Sequence, residues 1–123
     1  MARVGHLATV TSVHGAHLVP CCFVLESDTI YSAIDAKPKS TLVLRRLENI
    51  KSNSSASLLV DHYQEDWTGL WWVRVDGTGR MVDDDAERVR AIELLAQKYE
   101  QYRSAPLSGP VLAIAIDTWR MWP

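Results

Sequence analysis

The chain has 123 residues, 47% of them hydrophobic and 23% charged, with a formal net charge of −2. That length suits one hydrophobic core over residues 1–123, and that composition excludes intrinsic disorder. No basic excess is present to neutralise a run of phosphates, and no apolar run approaches the roughly 20 residues of a membrane-spanning helix, so neither nucleic acid nor membrane is an expected partner.

Met1-Ala2-Arg3-Val4-Gly5 lacks the long apolar segment of a secretory signal, and a cytoplasmic location is expected. Leu7-Ala8-Thr9-Val10-Thr11 is a short β-favouring run, and Gly15 suits the hairpin turn that follows it. His17 to Leu25 reads as a second strand, with Pro20 marking an edge or a bulge because it lacks a ladder donor. Cys21 and Cys22 stand side by side in that strand, where neighbouring side chains point to opposite faces. They do not easily bridge each other and read as small apolar residues of a reducing compartment. Glu26-Ser27-Asp28 makes a turn, and Thr29 to Ile34 is a third strand.

Asp35-Ala36-Lys37-Pro38-Lys39-Ser40 breaks the strand pattern, and Leu44, Leu47 and Ile50 then recur at helical spacing. Ser52 to Ser55 ends this amphipathic helix, and Ala56 to Val60 is a near-continuous apolar strand. Asp61 to Asp66 reads as a polar loop before Leu70-Trp71-Trp72-Val73-Arg74-Val75 resumes the sheet, with Gly77 and Gly79 allowing a bulge or sharp bend. The longest helix starts at Asp83-Asp84-Asp85, where Asp84 and Glu87 are spaced as in a capping box. Val89, Ile92, Leu95, Tyr99 and Tyr102 form its apolar stripe, Pro106 bars its continuation, and Pro110 to Ile116 is the last strand. Hairpins with sparse helices predict a mainly β fold with flanking α, a small barrel with helices packed outside.

The usual signatures of catalysis are missing: no GxGxxG, Walker loop, HExxH or GxSxG occurs. His6, His14, His17 and His62 include no pair at helical ligand spacing, so no metal site is expected and no catalytic residue is assigned. Lys37, Lys39 and Ser40, with Arg45 and Arg46 on the following helix, set ammonium groups, a hydroxyl and a helix N-terminus together. Each of these favours an anion such as phosphate. A solvated basic loop beside an ordinary charged helix face is the competing account. Trp71 and Trp72 fall on opposite faces of one strand, so that one faces the core and the other requires a cover: another part of the monomer, a partner subunit or a flat aromatic ligand.

Several runs together resemble a known family. Gly5-His6-Leu7-Ala8-Thr9-Val10, His17-Leu18-Val19-Pro20, Asp35-Ala36-Lys37-Pro38-Lys39, Leu44-Arg45-Arg46-Leu47-Glu48-Asn49-Ile50 and Leu70-Trp71-Trp72-Val73-Arg74 are similar to pyridoxamine 5'-phosphate oxidase-like proteins of actinobacteria. The similarity is nearest to the branch of probable coenzyme F420-dependent enzymes. It implies a split β-barrel of the FMN-binding, flavin-reductase-like class, and a homodimer with two cofactor sites at the subunit interface. It implies that Lys37 and Lys39 meet the cofactor phosphate, with Arg45 or Arg46 as a further contact, and the Ser40 hydroxyl beside them is nominated to the same cofactor site. The ring would lie against the Leu18–Cys22 and Ile30–Ile34 runs, which nominates Pro20 and Ala33. The implied activity is that of an oxidoreductase moving a hydride between F420 and a small organic substrate. FMN is the alternative cofactor, and a non-catalytic flavin- or deazaflavin-binding protein the alternative function.

Overall fold

Alternation of apolar and polar residues organises most of the chain into strands, and the computed structural model describes residues 2–11, 15–33, 48–104 and 109–123. The strands are β1 (Gly5–Thr11), β2 (Gly15–Cys21), β3 (Val24–Glu26), β4 (Thr29–Ala33), β5 (Ser55–His62), β6 (Trp71–Met81) and β7 (Val111–Trp122). Among the described residues they form one antiparallel sheet in the order β2-β1-β5-β6-β7-β4-β3. The sheet curls until its ends approach. Ser32 Oγ on β4 donates to the Cys22 carbonyl next to β2 at 2.8 Å. The barrel interior holds Leu7, Ile30, Ile50, Leu58, Val75, Leu112 and Ile114. A second cluster, Tyr31, Val82, Ala91, Val111 and Ala113, fills the space between the outside of the sheet and helix α1 (Asp85–Lys98).

The expected second strand divides into β2 and β3 at Cys22-Phe23, because the Phe23 backbone bonds to the end of α1 instead of a ladder. Its N–H donates to the Tyr99 hydroxyl at 3.0 Å, and its carbonyl accepts from Lys98 Nζ at 2.7 Å. The Lys98 ammonium lies 3.6 Å from the Phe23 ring centre, and burial lowers its pKa below the ordinary lysine value. The same demand on Tyr99 breaks the predicted long helix. Tyr99 is extended, α1 ends at Lys98, and Tyr102 falls in a separate short helix, α2 (Glu100–Ser104). Pro20 sits on the edge strand, as its missing donor requires. Cys21 is buried, and both cysteines are free thiols.

The cap of α1 forms by one of its two expected bonds. Asp84 accepts from the Glu87 N–H at 2.8 Å, but the Glu87 carboxylate turns away and joins the sheet. Arg80 on β6 donates to both Glu87 oxygens at 2.8 and 2.6 Å, and the Tyr31 hydroxyl on β4 donates to one at 2.8 Å. Arg80 first and Tyr31 second hold the Glu87 pKa down to about 2. Burial, followed by the Glu87 contact, pushes Tyr31 up to about 12. The helix is rotated from the expected stripe: Ala91 and Leu95 are fully buried, whereas Val89 is 57% exposed.

β6 and β7 both run past their predicted ends, and the ladder between them shifts register between Asp76 and Gly77. A Cβ on Gly77 would stand 2.0 Å from the Ala115 carbonyl oxygen, so only glycine permits this approach. β5 likewise takes in Asp61 and His62, which pair with Trp72 and Trp71 in place of forming a loop. Residues 48–52 are helical, and Ile50 packs from them into the barrel. Leu44 and Leu47 lie outside the described residues.

Two outcomes follow from these contacts. Gly77→Ala is expected to cost about 2 kcal/mol or more, since the backbone itself must move; the urea midpoint of the variant measures it. The Glu87 pKa is depressed, so its stabilising effect is complete above the ordinary value of 4.5 and is lost as pH falls through about 2. The gap in melting temperature between the native chain and Glu87→Gln is therefore expected to be widest near neutrality and to narrow between pH 4.5 and 2. A gap that stayed constant over that window would exclude the clamp as its cause.

Candidate functional site

Strand alternation gives β2, β1, β5, β6 and the second half of β7 a face that points away from the barrel interior. Helix α1 covers the outside of the sheet over β4 and the first half of β7, where Tyr31 and Ala113 pack against it, and leaves this face open. Three rows of side chains cross it in register. The first is Leu18, Ala8, Ser57, Asp76 and Thr118; the second is Pro20, His6, Leu59, Arg74 and Arg120; the third is Asp61, Trp72 and Trp122.

The first row carries a polar network. Asp76 accepts from Ser57 Oγ at 2.5 Å, from Arg74 Nε and Nη2 at 3.2 and 3.1 Å, and from Thr118 Oγ1 at 3.3 Å. The Ser57 bond above all holds the Asp76 carboxyl below its usual range; partial burial opposes this, and Arg74 and Thr118 add to it. Arg74 is thereby neutralised. Arg120 stands directly opposite Arg74 across the ladder, and no ion pair or hydrogen bond engages its side chain among the described residues. Asp76 offsets the repulsion between the two guanidinium groups, so the net positive charge of the pair rests on Arg120.

The third row forms the floor of an open groove of about 570 Å³, walled by Leu59, Leu70 and Arg74 and rimmed by Asp61. That volume is of the order that takes a small organic ring system. A second, more polar hollow of about 420 Å³ lies over Ala8, Ser57, Asp76 and Thr118. Neither tryptophan of the Trp71-Trp72 pair faces the core, contrary to expectation. The barrel interior ends at Val75, so Trp71 remains 37% exposed, stacked on the His62 ring, and Trp72 is half-buried in the groove.

Of the residues nominated from the sequence, Pro20 lies exposed on this open face, at the far end of the Arg74 row. Ala33 is buried at the end of β4, opposite Val111 and on the side of Tyr31, away from the groove. Lys37, Lys39, Ser40, Arg45 and Arg46 lie outside the described residues. The sequence reading missed Trp122, Arg120 and Asp76. Alternation in Thr118-Trp119-Arg120-Met121-Trp122 was the available signal, hidden by placing the end of the last strand at Ile116. Among the described residues no group of three histidine, cysteine or acidic side chains is placed to hold a metal ion, and no helix is long and apolar enough to cross a membrane.

Residues 1–123 match the family model described as pyridoxamine 5'-phosphate oxidase. No curated protein matches the sequence. Among solved structures, a conserved hypothetical protein of Mycobacterium tuberculosis is similar with a TM-score of 0.79 at 18% identity, over 98% of this chain and 77% of that one. A FAD-binding protein of Mesorhizobium loti gives 0.69 at 20% identity, over 97% and 82%. A heme storage protein of Vibrio cholerae gives 0.74 at 15% identity, over 98% and 85%.

Proposed function

The chain belongs to the pyridoxamine 5'-phosphate oxidase family, and from that premise we propose that it binds a flavin-type cofactor and serves as an oxidoreductase for a small organic substrate. The observation that carries this reading is the open outer face, a flat and partly apolar platform that runs in register from Pro20 through His6 and Leu59 to the aromatic groove. A tricyclic ring needs such a surface on one side and a second cover on the other. The described residues fit the ring. The phosphate contacts of the proposal, Lys37, Lys39 and Ser40 with Arg45 or Arg46, supply the charge-assisted donors that an anionic tail requires. The cofactor, when bound, provides hydride transfer, and this chain's residues bind its phosphate, seat its ring and exclude water. Deazaflavin F420 is the leading candidate, from the sequence resemblance, and FMN the alternative.

The second cover is a second copy of the chain. Leu18 is 67% exposed and Val10 36%, both on the same face and away from the tryptophan groove, and a symmetric partner removes them from water. A non-catalytic carrier of a planar tetrapyrrole is the second reading. It is favoured by His62 at the groove and by the fold shared with the heme storage protein.

Absorbance titration of the purified protein with FMN, F420 and hemin in separate arms tests the cofactor class. Saturable binding of a flavin or deazaflavin is expected, and saturation by hemin alone would replace the proposal with the carrier. Lys39→Ala is expected to weaken cofactor binding roughly ten- to a hundredfold, the size of one charge-assisted phosphate contact, and to leave a phosphate-free riboflavin analogue unaffected. Equal loss for both ligands would return Lys39 to a solvated loop. Sedimentation at micromolar concentration is expected to give twice the single-chain mass; a single-chain species would exclude the dimer.

A further inference from the structure

We propose that Arg120 makes the aromatic groove beside it a site for an aromatic carboxylate, the substrate class of the proposed oxidoreductase. The assignment of this ligand as substrate rests on that reading; the binding site itself does not.

Four observations converge on it. Trp72 and Trp122 are cross-strand partners on one face and offer a flat ring a stacking floor. Arg74 lines the groove, and its cross-strand partner Arg120 stands just outside the lining, one row from Trp122 on the same face and two residues along β7. Asp76 occupies Arg74, so the unfavourable pairing of the two guanidinium groups leaves one positive charge, on Arg120, uncompensated among the described residues. An incoming carboxylate neutralises that remaining charge and meets a planar fork of donors whose geometry it matches. Asp61, at the β5 end of the Trp72 row, completes the argument: its negative charge repels an acid group and turns the carboxylate end of the ligand toward Arg120. A neutral ring gains only the stacking, and an amine is drawn to Asp61 and opposed by Arg120.

Calorimetric titration of the intact protein with 2-naphthoate and with the neutral 2-naphthamide tests the site, with FMN binding measured on the same samples. The acid is expected to bind roughly ten- to a hundredfold more tightly than the amide, and to lose that advantage as salt is raised. Arg120→Gln is expected to abolish the difference while the amide binds as before, and Arg120→Lys to retain part of it. Arg120 is exposed and its side chain makes no ion pair or hydrogen bond among the described residues, so its replacement leaves the sheet folded, which far-UV circular dichroism verifies. Equal affinity for acid and amide, or an equal loss of both in Arg120→Gln, would overturn the site. A preference for the acid without any FMN binding would keep the site and refute the flavin reading. FMN binding without the preference would do the reverse.

Discussion

The arrangement depends on one close approach, that of Gly77 to the carbonyl of Ala115. With the oxygen 2.0 Å from where a Cβ would stand, the β6–β7 ladder slips by one residue, and Asp117 is left over on β7. On one side of the slip β7 is a core strand, with Val111, Leu112, Ala113 and Ile114 buried between the barrel interior and α1. On the other side Thr118 to Trp122 is exposed, and its outward residues join the rows of β6, β5, β1 and β2. A bulge bends and re-aims a strand. Here it lets one strand serve the fold with its first half and the open face with its second.

The covered half is held by charges placed where burial is shallow. Glu87 receives donors from β6 and β4 at once, so α1 is pinned to two strands that are separated in the sheet by β7. At its other end Lys98 and Tyr99 hold the Phe23 backbone where the chain crosses from β2 to β3. Exposed single ion pairs contribute little, but a bidentate Arg–carboxylate pair sharing its acceptor with a buried phenol is a network with fixed geometry. The helix is therefore positioned by its ends as well as by Ala91 and Leu95, and it stops short of the open face.

The sequence was legible where local chemistry decides. The first hairpin, the edge role of Pro20, the Asp84 cap and the glycine bulge follow from a missing donor, a side-chain acceptor or a missing Cβ, and each was found where the pattern put it. It was illegible where distant partners decide. No local signal tells that Phe23 will be bonded by Tyr99, seventy-six residues on, and so break a strand and a helix together. Val89 lies on the apolar stripe, yet the Glu87 clamp sets the rotation that exposes it. At the candidate site the tryptophans of β6 were visible, but their partner Trp122 was not, because the last strand was ended at Ile116 and the alternation beyond it, which sets the mixed set Thr118, Arg120 and Trp122 on the outer face, was not followed.

That mixed character suits the outer face to selective recognition as well as to contact with a second copy. A face meant only for apolar docking would carry a continuous hydrophobic patch, which draws partners without selecting them. Here the Ser57–Asp76–Arg74 network crosses the middle of the face and separates the hollow over Ala8 and Thr118 from the tryptophan floor. Its members are satisfied by one another, so covering them leaves no polar group stranded. Arg120 differs: covered by an apolar surface it would keep an unpaired charge at several kcal/mol. Whatever occupies the groove beside it must therefore bring an acceptor of its own, and that requirement, more than the size of the groove, decides which ligand fits.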